Sequence, residues 1–115
     1  MNHELLNINQ TGHVLIVPKG KSCYSTAFFV IATAIGGSSA NPICFFAYAT
    51  TGYDGAIAKE NITALDGNTY VISDYTKGDT TYRSITLTNS QYQRVYIDIY
   101  GITTVPLKWT NRSLK

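Results

Sequence analysis

Two segments near the middle of the chain are apolar at successive positions, and they constrain the fold more than any other feature. They read AFFVIATAI, residues 27–35, and ICFFAYA, residues 43–49. A strand of an antiparallel sheet commonly buries one face and exposes the other, so its apolar residues alternate. Here Phe28 and Phe29 fall on opposite faces of the first segment. We therefore expect both faces of each segment to be covered.

Strands are favoured over helices for these two segments. Nine apolar residues could also begin a helix, but the content of β-branched and aromatic residues is typical of strands. The loop between the two segments, residues 36–42, reads GGSSANP and contains glycine and proline at its ends. No other part of the chain repeats apolar residues at helical spacing over several turns.

Strand-like segments recur about every 10 to 15 residues and are separated by turn sequences. The predicted strands cover residues 13–18, 26–35, 43–50, 56–64, 69–75, 82–88, 94–100 and 104–110. Pro106 cannot donate to a ladder, so the last strand is expected at a sheet edge. Seven or eight short strands predict an all-β fold, an antiparallel β-sandwich or jelly roll.

The chain has 115 residues, which predicts one β-sandwich domain over residues 1–115. Residues 1–12 carry no clear strand pattern and are expected to form an extended N-terminal arm. Only 14% of the residues are charged, below the usual ~25%. The net charge is +2 and the lysines and arginines are scattered. We therefore expect no nucleic-acid partner, and no apolar run is long enough to insert into a membrane.

The sequence carries no catalytic, cofactor or metal motif. Its two histidines, His3 and His13, lie near neither a cysteine pair nor an acidic cluster. The acidic residues at the predicted loops are expected to form turns through hydrogen bonds to the backbone; they are Asp54, Asp66, Asp74 and Asp79. The chain is therefore predicted to be non-enzymatic, with no cofactor and no metal.

Cys23 and Cys44 flank predicted neighbouring strands, so a disulfide between them is geometrically conceivable. Without a recognisable secretion signal, two reduced thiols are the favoured interpretation.

The hairpin near the C-terminus has a second face whose role is less obvious than that of its core face. Residues 94–100 direct one set of side chains to the core: Val95, Ile97 and Ile99. The opposite set is Tyr96, Asp98 and Tyr100. We expect Asp98 to form a cross-strand or intersubunit pair, with Arg83 and Arg94 as the cations in reach, and a ligand hydrogen bond is the alternative.

The apolar surface in excess of one sandwich predicts self-association. Exposed apolar patches of that size usually mark an interface. The candidate interface residues are Phe29, Ile31, Phe46, Tyr48, Tyr96, Asp98 and Tyr100. In the alternative explanation, long loops of the same chain fold back over the sheet. Tyrosine and neighbouring loop acids also suit ligand contact; the candidates are Tyr53, Asp54, Tyr75 and Tyr92.

The order of these features resembles the C-terminal head, or knob, domains of bacteriophage fibre proteins. The resemblance rests on the apolar strand STAFFVIATA, the loop TTGYDG and the late hairpin ITLTNSQYQRVYIDIYG, and it covers residues 13–110. Such heads are jelly-roll trimers similar to tumour necrosis factor, with three sandwiches around an axis. The resemblance implies a homotrimer on the virion surface, made in the host cytoplasm, that contacts a host cell-surface receptor or glycan.

Two functions follow as hypotheses. The first is a virion-surface structural protein that forms a homotrimer and binds a host receptor or glycan. The alternative is a monomeric, extracellular carbohydrate-binding module similar to a lectin. Oligomeric state separates the two, because only the first requires a second copy to cover the apolar strands.

Overall fold

A computed structural model describes residues 2–36, 43–90, 92–103 and 108–113, and these residues form nine strands and no helix. The strands are β1 Asn2–Asn7, β2 Gln10–Pro18, β3 Ser25–Ile35, β4 Ile43–Thr51, β5 Ile57–Ala64, β6 Ile72–Lys77, β7 Thr80–Asn89, β8 Arg94–Thr103 and β9 Lys108–Ser113. A five-stranded sheet has the order β1-β8-β3-β4-β5, and a four-stranded sheet has the order β6-β7-β2-β9. All ladders between them are antiparallel. The predicted all-β antiparallel fold, compatible with a β-sandwich, is confirmed.

The core lies between the inner faces of the two sheets. Burial alternates along β3, so Phe28 is 1% exposed whereas Phe29 is only half-buried. Phe28 meets Phe45 edge to face, with ring centroids 6.3 Å apart. Val14 of β2 and Ile85 of β7 are fully buried in the same cluster. Removing such side chains from water is the main favourable contribution to folding, at about 1.5–3 kcal/mol each.

The largest difference from the predicted strands is at the N-terminus. The segment expected to be an extended arm holds β1, which pairs with β8 from Asn7 opposite Arg94 to Asn2 opposite Ile99. Leu6 of β1 is 1% exposed and belongs to the core. A strand of six mostly polar residues has too little alternation to be recognised without its partner.

At the other end of the chain, the expected edge position of the last strand is confirmed. β9 pairs only with β2 at the margin of the four-stranded sheet. It begins at Lys108, later than predicted, and Pro106 lies outside the described residues.

The buried side-chain amide of Asn89 stabilises the region in which the chain passes from one sheet to the other. The crossing takes place at Asn9, whose φ is 63° and whose N–H donates to the carbonyl of Asn89. The Asn89 side chain is 2% exposed, and its Nδ2 donates to the carbonyls of Leu6 (3.0 Å) and Tyr92 (2.9 Å). Its Oδ1 accepts the N–H of Tyr92 at 2.9 Å. Asn89 therefore links β1, β7 and the turn before β8.

Replacing Asn89 with alanine is expected to lower the free energy of unfolding by about 2–4 kcal/mol, because buried backbone groups lose their partners. Urea denaturation of Asn89→Ala measures the loss. The control is Ser90→Ala, at the exposed position that follows Asn89, with an expected change within about 0.5 kcal/mol. Equal losses in the two variants would contradict the role given to Asn89.

A charged cluster joins the two sheets along one side of the sandwich. Arg83 of β7 donates from Nε to Glu60 of β5 at 2.9 Å and from a terminal nitrogen to Asp74 of β6 at 2.8 Å. Lys19 also donates to Asp74, at 2.8 Å. Hydrogen bonds from Lys19 and Arg83 lower the pKa of Asp74. The Arg83 side chain therefore lies on this side of the molecule, bound to Glu60 and Asp74.

Candidate functional site

The register of the five-stranded sheet gathers large apolar side chains on the face that points away from the core. We call this set the outer apolar face: Leu5, Phe29, Ile31, Phe46, Tyr48, Tyr96 and Tyr100. At its centre, Tyr100, Phe29 and Phe46 lie directly opposite one another on β8, β3 and β4. The seven residues that the sequence nominated for an interface all lie on this side of the sheet. Six of them belong to the outer apolar face, and the seventh is Asp98.

The outer apolar face is substantially exposed. Ile31 is 40% exposed, Phe46 43% and Tyr100 46%. The described strands form two layers, and none of them lies over this face. Contiguous apolar side chains in such a position are the usual mark of an interaction surface.

Asp98 lies beside Ile31 on this face, and its partner is not the one expected. His3 of β1 lies directly opposite Asp98, and its Nδ1 is hydrogen-bonded to the carboxylate. The His3 ring also stacks near Tyr96, with ring centroids 6.0 Å apart. The expected pairing with Arg83 is wrong, because Arg83 binds Glu60 and Asp74 on another side.

The other expected cation, Arg94, lies four residues before Asp98 on β8, opposite Asn7 and Ile35. His3 was not predicted as the partner of Asp98 because the N-terminal segment had not been assigned to a strand. Had β1 been recognised, the period-two alternation of a strand would have placed the His3 imidazole on the same face as Leu5. The His3–Asp98 contact is a salt bridge whenever the imidazole is protonated.

The four residues nominated for ligand contact are not brought together. Tyr53 and Asp54 lie in the loop between β4 and β5, where Tyr53 is 94% exposed. Asp54 accepts the backbone N–H of Ala56 at 3.0 Å, so it forms the expected turn. Gly55 in the same loop has φ +81° and approaches the backbone of Gly20 too closely for any Cβ.

Tyr75 and Tyr92 occupy two other places. Tyr75 of β6 stacks against His13, with ring centroids 4.0 Å apart, and His13 also hydrogen-bonds the hydroxyl of Thr86 at 3.1 Å. Tyr92 follows β7 at the end of the sandwich opposite the Tyr53 loop, where Asn89 fixes its backbone. The fold therefore does not bring these four residues together in a single site.

The turn after β5 is organised around Asp66. Its carboxylate accepts the backbone N–H groups of Cys44 (2.7 Å) and Asn68 (2.8 Å) and the hydroxyl of Tyr70. Burial opposes ionisation of Asp66, but these hydrogen bonds outweigh it and hold its pKa below the usual range. Burial and the neighbouring carboxylate raise the pKa of Tyr70. The Tyr70 ring is packed on Phe45, with centroids 4.4 Å apart.

Because the pKa of Asp66 is lower in the folded than in the unfolded chain, its ionisation stabilises the fold above about pH 4. That contribution is lost as the pH falls through the lowered pKa. Solvent screening limits it to about 1 kcal/mol at neutral pH. We expect Asp66→Asn to be less stable than the native protein by this amount at pH 7 and by less at pH 3.

Urea denaturation at the two pH values measures the difference. Asp79→Asn, at an exposed position in the β6–β7 turn, serves as the control and should change little. A loss for Asp66→Asn that is the same at pH 7 and pH 3 would contradict this account of the turn.

Cys23 and Cys44 are free thiols, and the register excludes a bridge between them. The N–H of Cys23 donates to the carbonyl of Gly52, eight residues beyond Cys44. Eight extended residues span about 26 Å, whereas bridged Cα atoms lie within about 7 Å. Cys44 lies opposite Ile31 at the border of the outer apolar face.

In the described part of the chain, no three side chains of histidine, cysteine, aspartate or glutamate are grouped so that they could hold a metal ion. Across those same residues, no helix reaches the length and apolarity needed to traverse a membrane. Comparisons with protein-family models, curated proteins and solved structures find no match to this chain. The resemblance to phage fibre heads therefore stays a prediction.

Proposed function

We propose that this protein is a non-enzymatic structural and binding module of a virion surface. In this proposal it assembles as a homotrimer through the outer apolar face and contacts a host receptor or glycan with its exposed loops. The observation that carries the proposal is the row formed by Tyr100, Phe29 and Phe46 across three adjacent strands. Two members of this row, Phe46 and Tyr100, are more than 40% exposed in a single chain.

The chemistry of the outer apolar face supports self-association. The centres of protein interfaces are rich in aromatic residues and poor in charge. The central row has no charged side chain, and Thr63 of β5 continues it next to Phe46. A carboxylate buried at an interface without a partner would oppose association, but Asp98 already has His3. This face can therefore leave water without isolating a charge.

A trimer, rather than another stoichiometry, is proposed from the resemblance to fibre heads. Host contact is assigned to the loop with Tyr53, because a large aromatic side chain that is 94% exposed is available to a partner. This loop follows Thr51 at the end of β4, whereas Phe46 lies near the middle of that strand. Assembly through the sheet face would thus leave the loop accessible.

Replacing Phe46 with aspartate is expected to disperse the assembly while leaving the sandwich folded. The side chain points away from the core, so the cost falls on the interface, where an unpaired buried charge opposes association. Native mass spectrometry and light scattering should show three chains for the native protein and one for Phe46→Asp. Dissociation should be at least about 100-fold more favourable in the variant.

The matched control is Tyr53→Asp, which removes an exposed aromatic residue and adds the same charge far from the outer apolar face. It should remain a trimer with an unchanged circular dichroism spectrum. A native protein that is monomeric at high micromolar concentration would contradict the proposal and favour the monomeric carbohydrate-binding alternative. A dimer would refute the stoichiometry and retain the interface.

A further inference from the structure

The structure contains a cavity of about 380 Å³ at one end of the sandwich, separate from the outer apolar face. It lies between the final residues of β3 and β7, the first residues of β4 and β8, and the turn that precedes β6. Its wall includes Ala34, Asn68, Thr69, Tyr70, Leu87 and Tyr92. Of the nominated ligand residues, Tyr92 is the one that lines this cavity. We propose that the cavity binds a single ring of a neutral saccharide.

At the cavity, the side chain of Tyr70 and the backbone of Tyr92 are held in place before any ligand arrives. Tyr70 is fixed at its hydroxyl by Asp66 and at its ring by Phe45. Tyr92 is fixed at its backbone N–H and carbonyl by the buried amide of Asn89. Aromatic rings pair an apolar face with a polar tip, which suits the C–H face and the hydroxyls of a sugar. Fixing them in advance reduces the entropy lost on binding.

Polar groups are available at the same wall. Pairing between β6 and β7 ends at Ile72 opposite Ile85, so no described strand covers the far side of Thr86–Thr88, which borders the cavity. Backbone groups on such an edge need hydrogen-bond partners. The exposed side chains of Asn68 and Thr69 add an amide and a hydroxyl at the rim. Together they supply both donors and acceptors, as sugar hydroxyls require.

The charge of the wall defines the ligand class further. None of the described residues that line the cavity is acidic or basic. An anionic sugar or a phosphate would therefore enter without a counter-charge, which is unfavourable in a partly buried site. Ala34, Leu87 and the two tyrosines give the site an apolar floor that a fully polar ligand would not use. A neutral hexose ring combines the required apolar face with uncharged hydroxyls.

The test is an NMR titration of the native chain with the methyl glycosides of glucose, galactose, mannose and N-acetylglucosamine. Uridine is titrated in parallel as a planar, non-saccharide probe. At least one glycoside is expected to shift the amide signals of Thr69, Tyr70, Leu87 and Tyr92, with a Kd of about 1 mM, as is usual for a small ligand. No shift with any glycoside, or a shift only with uridine, would overturn the proposal.

Two variants locate the site. Ala34→Leu fills the cavity and should weaken glycoside binding at least about tenfold, whereas Ala58→Leu, on an exposed position of β5, should leave it within about twofold. Asn68→Ala removes a rim amide without adding volume, so it provides the answer if Ala34→Leu does not fold. Unchanged binding in a folded Ala34→Leu would overturn the proposal, and if that variant does not fold, unchanged binding in Asn68→Ala would overturn it. Because the titration reports on this cavity and not on assembly, it stands or falls separately from the trimer.

Discussion

The structure depends on two strands that are apolar on both faces. Phe28 of β3 and Phe45 of β4 are buried and require a second sheet above them, which β2 and β7 provide with Val14 and Ile85. The next residues in the sequence, Phe29 and Phe46, lie on the opposite face, and none of the described strands covers them. Burial of the inner set stabilises the monomer by the hydrophobic effect, and exposure of the outer set leaves the same effect available for association. One sequence feature thus accounts for both the sandwich and the proposed assembly.

The remaining interactions mainly position these strands and close the open ends of the sandwich. Asn89 secures the crossing between sheets and fixes Tyr92, and Arg83 joins β7 to β5 and β6. Asp66 organises the turn that presents Tyr70. The hydrogen bonds of Asn89 and Asp66 thus fix the backbone of Tyr92 and the hydroxyl of Tyr70, which both line the cavity.

The sequence predicts period-two alternation along β3, β4 and β8, but β3 and β4 are apolar on both faces, so alternation alone does not decide which face of each turns to the core. Phe29, Phe46 and Tyr100 could be named only as interface candidates. Their position in a single row could not be deduced, since it depends on the register. β1 was missed because its six residues are mostly polar, and the partner of Asp98 was missed with it. The cavity could not be deduced from the sequence either: it borders Thr86–Thr88, beyond the last pair of β6 with β7, and where that pairing ends is a tertiary property that no local pattern encodes.

The central claim is that a second copy of the chain covers the outer apolar face, and the two native cysteines allow a direct measurement. Cys44 borders that face, whereas Cys23 is exposed in a loop away from it. Alkylation by N-ethylmaleimide is measured at both thiols in the native protein and in Tyr100→Asp at the same concentration. If a second copy covers the face, Cys44 is alkylated more slowly in the native protein than in the variant, with equal rates at Cys23. Equal rates at Cys44 in the two proteins would show that the face stays open to solvent and would contradict the account.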